Sequence, residues 1–139
     1  MVKITFIGAG STVFAKNVLG DVLLTPSLHE AQIALYDINE ERLKESELML
    51  RTINRNCNQN RATIRSYTDR KGALRDATFV VNAIQVGGYE PSTVIDFEIP
   101  KKYGLQQTIG DTMGIGGIFR ALRTIPVMLE FAREMEEVC

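Results

Sequence analysis

A glycine pair that directly follows the first apolar segment constrains this chain more than any other feature. Residues 2–7 alternate in polarity and end at Gly8, which indicates a β-strand that runs into a tight turn. The turn, residues 8–12 (GAGST), opens a segment whose apolar residues recur at helical spacing. A strand, a glycine turn and a helix in that order predict a place where backbone N–H groups approach a phosphate.

Strand-like and helix-like segments alternate along the rest of the chain. Further strands are predicted at 32–36, 62–67 and 78–84, and helices at about 14–24, 40–55, 72–76, 91–100 and 118–138. This order requires parallel strands with helices on both faces, so we predict an α/β fold with a doubly wound, Rossmann-like parallel sheet. The fourth strand would then lie at an open edge, and we expect a truncation before strand five.

The last predicted helix carries an apolar stripe at helical spacing. We expect this stripe to be part of the core, and its members are Ile118, Leu122, Ile125, Leu129 and Ala132.

Composition narrows the class of protein. The 139 residues are 45% hydrophobic with a formal net charge of −1, as in one domain of ordinary size covering residues 1–139. The chain lacks the basic excess of a nucleic-acid-binding surface. It also lacks an apolar run of about 18 residues that could span a membrane, and a secretory signal. We therefore expect a cytoplasmic protein without nucleic-acid or membrane partners.

Asp37 closes the second predicted strand. At that place in a dinucleotide-binding fold, a carboxylate accepts hydrogen bonds from the ribose hydroxyls of the adenosine half and repels a 2′-phosphate. Together with Gly8 and Gly10, Asp37 predicts an NAD site rather than an NADP site. The alternative is an aspartate that only shapes the turn or caps the helix that follows.

Two further glycine-rich turns have less specific interpretations. Residues 86–89 (VGGY) follow the fourth strand, where they could contact the nicotinamide end of a cofactor or form an ordinary turn. Residues 110–117 lead into a helix and are either a second anion or hydroxyl site or a flexible loop. Arg120 and Arg123 flank that loop and could form salt bridges, meet substrate or meet a partner subunit.

Three separated motifs resemble glycoside hydrolase family 4, and within it the α-galactosidases of the melibiase type. They are ITFIGAGST at 4–12, VGGYEP at 86–91 and GIGGIFRALRTIP at 114–126. The resemblance implies an NAD-dependent glycosidase, an exception to hydrolysis by two carboxylates. In that family the sugar is oxidised at C3, the glycosidic bond is eliminated, water adds and the sugar is reduced again. A divalent metal, usually manganese, acts as a Lewis acid.

The resemblance also implies roles for individual residues. Gly8, Gly10, Ser11 and Asp37 would bind NAD, and we add three candidate cofactor contacts from the same two turns, Thr12, Val86 and Gly87. Asp111 matches an acidic position that tunes the tyrosine base and lies near the substrate. Ser92 stands where members that act on 6-phosphoglycosides carry an arginine, which implies an unphosphorylated α-galactoside-type substrate.

The resemblance places the metal ligands, the tyrosine base and the catalytic acid of the family beyond Cys139. We therefore assign no metal ligand within this chain and expect the isolated 139 residues to lack activity. Two other hypotheses remain at this stage, an oxidoreductase like lactate and malate dehydrogenases, and an NAD-binding module without catalysis. A homo-oligomer is left open.

Overall fold

The structure, a computed structural model, describes residues 1–108 and 113–139. The chain divides into two units, residues 1–84 with 134–139, and residues 85–133. We call the first the sheet unit and the second the helical unit.

The sheet unit contains four parallel strands in the order β3-β2-β1-β4. They are β1 (Lys3–Ile7), β2 (Gln32–Tyr36), β3 (Thr63–Tyr67) and β4 (Phe79–Asn82). β1 pairs on both sides, so Ile4 lies opposite Ile33 in β2 and opposite Phe79 in β4. This topology confirms the predicted doubly wound sheet and puts β4 at an edge, where Phe79 is largely exposed.

Three helices flank these strands, with a short 3-10 turn at Pro26–Leu28. The helices are α1 (Thr12–Leu24), α2 (Glu40–Asn58) and α3 (Arg70–Leu74). Successive side chains of a strand point to opposite faces. Phe6 of β1 therefore joins Leu19 of α1 and Leu43 of α2 in the main core, while Thr5 Oγ1 donates to Ala73 O of α3 at 2.7 Å. The helices thus cover both faces of the sheet.

The helical unit begins with an irregular helical turn at Gly88–Thr93, followed by α4 (Val94–Lys102). The prediction that this helix fails by Pro100 is wrong, because α4 continues to Lys102. A proline this close to a C-terminus removes one N–H donor but leaves the rest of the last turn able to form. α5 (Ile115–Val138) then runs through Pro126 as one helix.

The apolar stripe of α5 is not the core that its spacing predicted. Four of its members, Ile118, Leu122, Ile125 and Leu129, are between 50% and 69% exposed. Periodicity identifies an apolar face but not what covers it, and the described residues leave this face open.

The last turn of α5 belongs to the sheet unit, where it is bonded to α3 and the residues after it. Asp76 N–H donates to Val138 O at 2.8 Å, and Arg70 pairs with Glu134 at 2.7 Å. Lys71 forms a second ion pair, with Glu137. These bonds fix the end of α5 beside the sheet.

Candidate functional site

The turn after β1 can be made only with glycine at its first position. Gly8 has φ +87°, in the region that favours glycine. A Cβ on Gly8 would also lie 2.6 Å from Ala83 O, just beyond the end of β4. The chain therefore passes closer to its neighbouring strand here than a side chain would permit.

This glycine turn, residues 8–12, is anchored to the end of β2. The N–H groups of Gly8 and Ala9 both donate to Tyr36 O, at 2.9 and 3.0 Å. The turn and the residue after β2 are thus fixed side by side at the carboxyl edge of the sheet, which is where ligands of such folds bind.

Asp37, half-buried, is the residue next to that anchor. Its Oδ2 accepts a hydrogen bond from Gly10 N–H at 2.7 Å, and its Oδ1 accepts one from Asn39 N–H at 2.8 Å. A Cβ on Gly10 would lie 2.8 Å from Asp37 Oδ2, so the second glycine is required for this approach. The cap of α2 is Asn39, whose side chain accepts from Arg42 N–H, and not Asp37.

The N-terminus of α1 carries amide groups without an internal partner. Ser11 is the N-cap residue but makes no side-chain cap bond, and the first turn holds no acidic residue. The described residues provide no acceptor for the N–H groups of Val13 and Phe14, two residues whose side chains are largely exposed. Together with the helix dipole, such amides favour a bound anion.

Ser46 of α2 is a residue of this site that the sequence analysis missed. Its side chain is fully buried and its Oγ donates to Ala9 O, within the glycine turn, at 2.6 Å. A signal was available, because Ser46 lies at helical spacing between the apolar residues Leu43 and Leu50. A polar residue on the buried face of a helix requires a partner.

The turn with the remaining predicted contacts, Val86, Gly87 and Ser92, lies in the helical unit. Gly87 has φ +84°, and a Cβ on Gly87 would clash with the Ser92 side chain. The two ends of this turn are joined, since Gln85 Nε2 donates to Thr93 Oγ1 at 2.9 Å.

Arg120 and Arg123 form contacts within the helical unit. Arg120 Nη2 donates to Thr93 Oγ1 at 3.1 Å. Arg123 forms a bidentate ion pair with the buried Asp96, in which Nη1 donates to Oδ1 at 2.8 Å and Nη2 to Oδ2 at 2.6 Å. This interaction raises the pKa of the Arg123 guanidinium. Of the roles that the sequence left open for Arg123, the structure provides the salt bridge.

The second glycine-rich segment is used for packing where the structure describes it. Gly116 N–H donates to Gln107 Oε1 at 2.9 Å, and a Cβ on Gly116 would lie 2.8 Å from Asp96 O. The backbones of α4 and α5 therefore meet closely at Gly116. Asp111, the predicted tuning and substrate residue, lies outside the described residues.

Tyr36, whose carbonyl anchors the glycine turn, has a buried side chain. Burial raises the pKa of the Tyr36 hydroxyl above its ordinary value, and the positive charge of Arg70 opposes this shift.

Over residues 1–108 and 113–139, no three His, Cys, Asp or Glu side chains are grouped so as to hold a metal ion. No helix in the same ranges is long and apolar enough to cross a membrane.

A sequence profile described as Family 4 glycosyl hydrolase matches residues 3–139, which is nearly the whole chain. The chain belongs to glycosyl hydrolase family 4. This result confirms the resemblance inferred from the three motifs.

Relatives of this family 4 chain include an α-galactosidase of Bacillus subtilis that is 66% identical over all 139 residues. An α-galactosidase of Rhizobium meliloti is 38% identical over 98% of the chain. The match spans 32% of the first relative and 27% of the second. The family 4 chain therefore spans about a third of the length of these relatives.

A solved structure also shares the fold. The 6-phospho-β-glucosidase of Thermotoga maritima, with manganese, NAD+ and glucose-6-phosphate, matches with a TM-score of 0.83 and 27% identity. The match covers 99% of the family 4 chain and 32% of that structure.

Proposed function

We propose that this chain, residues 1–139, is the NAD-binding part of a family 4 glycosidase that hydrolyses an unphosphorylated α-galactoside. The observation that carries the proposal is the bond between Gly10 N–H and the Asp37 carboxylate, at 2.7 Å. This bond holds the glycine turn, which would bind the diphosphate, beside Asp37, which would bind the ribose, as a dinucleotide site requires.

The described residues fit the two polar parts of the adenosine half of NAD. The amides of Val13 and Phe14, which have no acceptor among the described residues, suit the diphosphate. Ser11 and Thr12, both half-buried, lie at the same helix start. Asp37 uses one hydrogen bond on each oxygen, which leaves lone pairs free for the ribose hydroxyls.

The same carboxylate supports NAD over NADP. A 2′-phosphate would bring negative charge against Asp37, which is half-buried and therefore less screened than a fully exposed acid. The Thermotoga maritima relative, whose structure contains NAD+, supports the same choice of cofactor.

When bound, NAD would supply a hydride acceptor. Family membership implies that the sugar is oxidised at C3 by this acceptor. The residues of this chain hold and orient the dinucleotide. Val86 and Gly87 as cofactor contacts, and Ser92 and Asp111 as substrate-side residues, remain predictions. Manganese is proposed for the enzyme as a whole, and we assign no described residue to it.

The substrate class rests on two arguments. The two relatives compared above are α-galactosidases, at 66% and 38% identity. Ser92 also lacks the positive charge with which an arginine would bind a sugar phosphate. Family membership favours this hypothesis over a dehydrogenase. A cytoplasmic location remains a prediction, and a homo-oligomer is left open.

Calorimetric titration of the chain with NAD and NADP tests the cofactor. We expect one NAD per chain, bound about tenfold or more tighter than NADP because of the charge on Asp37. Equal affinities, or no heat with either, would contradict the proposal.

A chimera tests the substrate. Residues 1–139 would replace the matching segment of the Bacillus subtilis α-galactosidase, with the unaltered enzyme as control. We expect the chimera to cleave p-nitrophenyl α-galactoside, but not its 6-phosphate, when NAD and manganese are present. A chimera that folds, binds NAD and prefers the 6-phosphate would refute the substrate class.

A further inference from the structure

Ser46 is a buried polar residue of α2 that lies outside the glycine turn and donates a hydrogen bond to it. It lies on the core face of α2, three residues after Leu43 and four before Leu50, and its side chain is fully buried. A hydroxyl in such a place must be hydrogen-bonded to offset its removal from water. Its partner is Ala9 O, at 2.6 Å.

This bond falls on the same peptide unit that Asp37 holds from the other side. The carbonyl of Ala9 and the N–H of Gly10 belong to one planar group and point in opposite directions. Ser46 Oγ binds the carbonyl at 2.6 Å, and Asp37 Oδ2 binds the N–H at 2.7 Å. Both polar groups of this peptide are thus held by side chains, so the plane cannot rotate without breaking one of the two bonds.

We infer that Ser46 is a positioning residue for nucleotide binding. Because it is fully buried it cannot touch a ligand, and it acts through the orientation of the Ala9–Gly10 peptide. That orientation presents Gly10 to Asp37 and directs the chain into the first turn of α1. Because the turn is already ordered before binding, less of the binding free energy is lost in ordering it.

The inference rests on the proposed NAD site, and a matched pair of variants tests it. Ser46→Ala removes the hydroxyl and leaves Ala9 O without its donor. Thr5→Val is the control, since Thr5 is also fully buried and donates to a backbone carbonyl, Ala73 O, at 2.7 Å. Both variants lose the same kind of bond, but only the first loses it at the glycine turn.

The readouts are the Kd for NAD by calorimetry, the thermal midpoint, and hydrogen exchange of the Gly10 amide without ligand. We expect both variants to lose similar thermal stability. Ser46→Ala should bind NAD about five- to tenfold more weakly than the wild type, a typical effect of one lost hydrogen bond. Its Gly10 amide should exchange faster, while Thr5→Val keeps the wild-type Kd and exchange rate.

Other results overturn the inference. If Ser46→Ala and Thr5→Val bind NAD equally well, Ser46 supports the fold only, and the proposed function is unaffected. If the wild type does not bind NAD, the proposed function fails and the inference fails with it. Should Ser46→Ala not fold, Ser46→Cys replaces it, because a thiol of similar size is a weak donor. Wild-type affinity for NAD in Ser46→Cys would then overturn the role.

Discussion

Asp37 Oδ2 lies 2.7 Å from Gly10 N, so the acid that follows β2 already holds the turn that follows β1. Its other oxygen binds Asn39 N–H, and Asn39 in turn caps α2. One carboxylate therefore links the turn, the strand end and the start of the next helix. A ligand that binds this acid meets a surface whose backbone is already ordered.

Replacing this acid should weaken NAD binding more than it weakens the fold. Asp37→Ala removes the acceptor of two backbone N–H groups and the proposed partner of the ribose hydroxyls, so we expect NAD affinity to fall about tenfold or more. Asp21→Ala removes the same charge from an exposed position of α1 and should bind NAD like the wild type. Calorimetry measures both, and equal affinities would remove Asp37 from the site.

The first glycine should be indispensable to the fold itself. Gly8→Ala forces a Cβ onto a residue at φ +87° and within 2.6 Å of Ala83 O, so we expect a loss of at least about 2 kcal/mol in unfolding free energy. Gly20→Ala, in α1 with open space around its Cα, should instead gain about 0.5–1 kcal/mol. Urea denaturation compares the two, and a neutral Gly8→Ala would show that the turn is not strained.

The ion pair of the buried Asp96 with the half-buried Arg123 should contribute more to stability than an exposed pair. Asp96→Ala leaves Arg123 without the carboxylate that it binds through two nitrogens, and we expect a clear drop in the thermal midpoint. Glu98→Ala removes the exposed partner of Lys101, and we expect almost no change. Similar midpoints for both variants would mean that the Asp96 pair contributes little.

Tyr36 should make stability depend on pH in the alkaline range. Burial raises the pKa of its hydroxyl in the folded state, whereas an unfolded tyrosine ionises near pH 10. The folded state then binds more protons, so this contribution is fully present below about pH 10 and is lost as pH rises through the folded pKa. Urea denaturation of the wild type and Tyr36→Phe at pH 8 to 11 checks this, and a constant difference between them would refute it.

The sequence predicted the sheet well because the strands are short, apolar and bounded by turn residues. It also predicted that Gly8, Gly10 and Asp37 come together, because carboxyl ends of neighbouring parallel strands share one edge. The predicted first residues of the helices were less accurate than the predicted strands, and the third helix, predicted at 72–76, is an example. α3 begins at Arg70, since the Asp69 side chain accepts from Gly72 N–H and fixes the helix start before the predicted residue.

Two features depended on information that no local pattern contains. The stripe of α5 has helical spacing and was expected to be core, yet Leu122 is 69% exposed. Spacing identifies an apolar face but does not specify which residues cover it. Arg123 could not be assigned in advance, since its partner Asp96 is distant in the chain and is brought to it by the packing of α4 against α5.

The placement of β1 between β2 and β4 has a consequence for how the chain acquires its structure. β1 is synthesised before the other three strands of this sheet, yet one of its two neighbours, β4, beginning at Phe79, is made only after α1, β2, α2, β3 and α3. Pairings between residues so far apart require a long loop to close, which slows folding. During synthesis the side of β1 that pairs with β4 therefore stays without its partner strand until β4 has been made, and until then its backbone N–H and C=O groups on that side are unpaired.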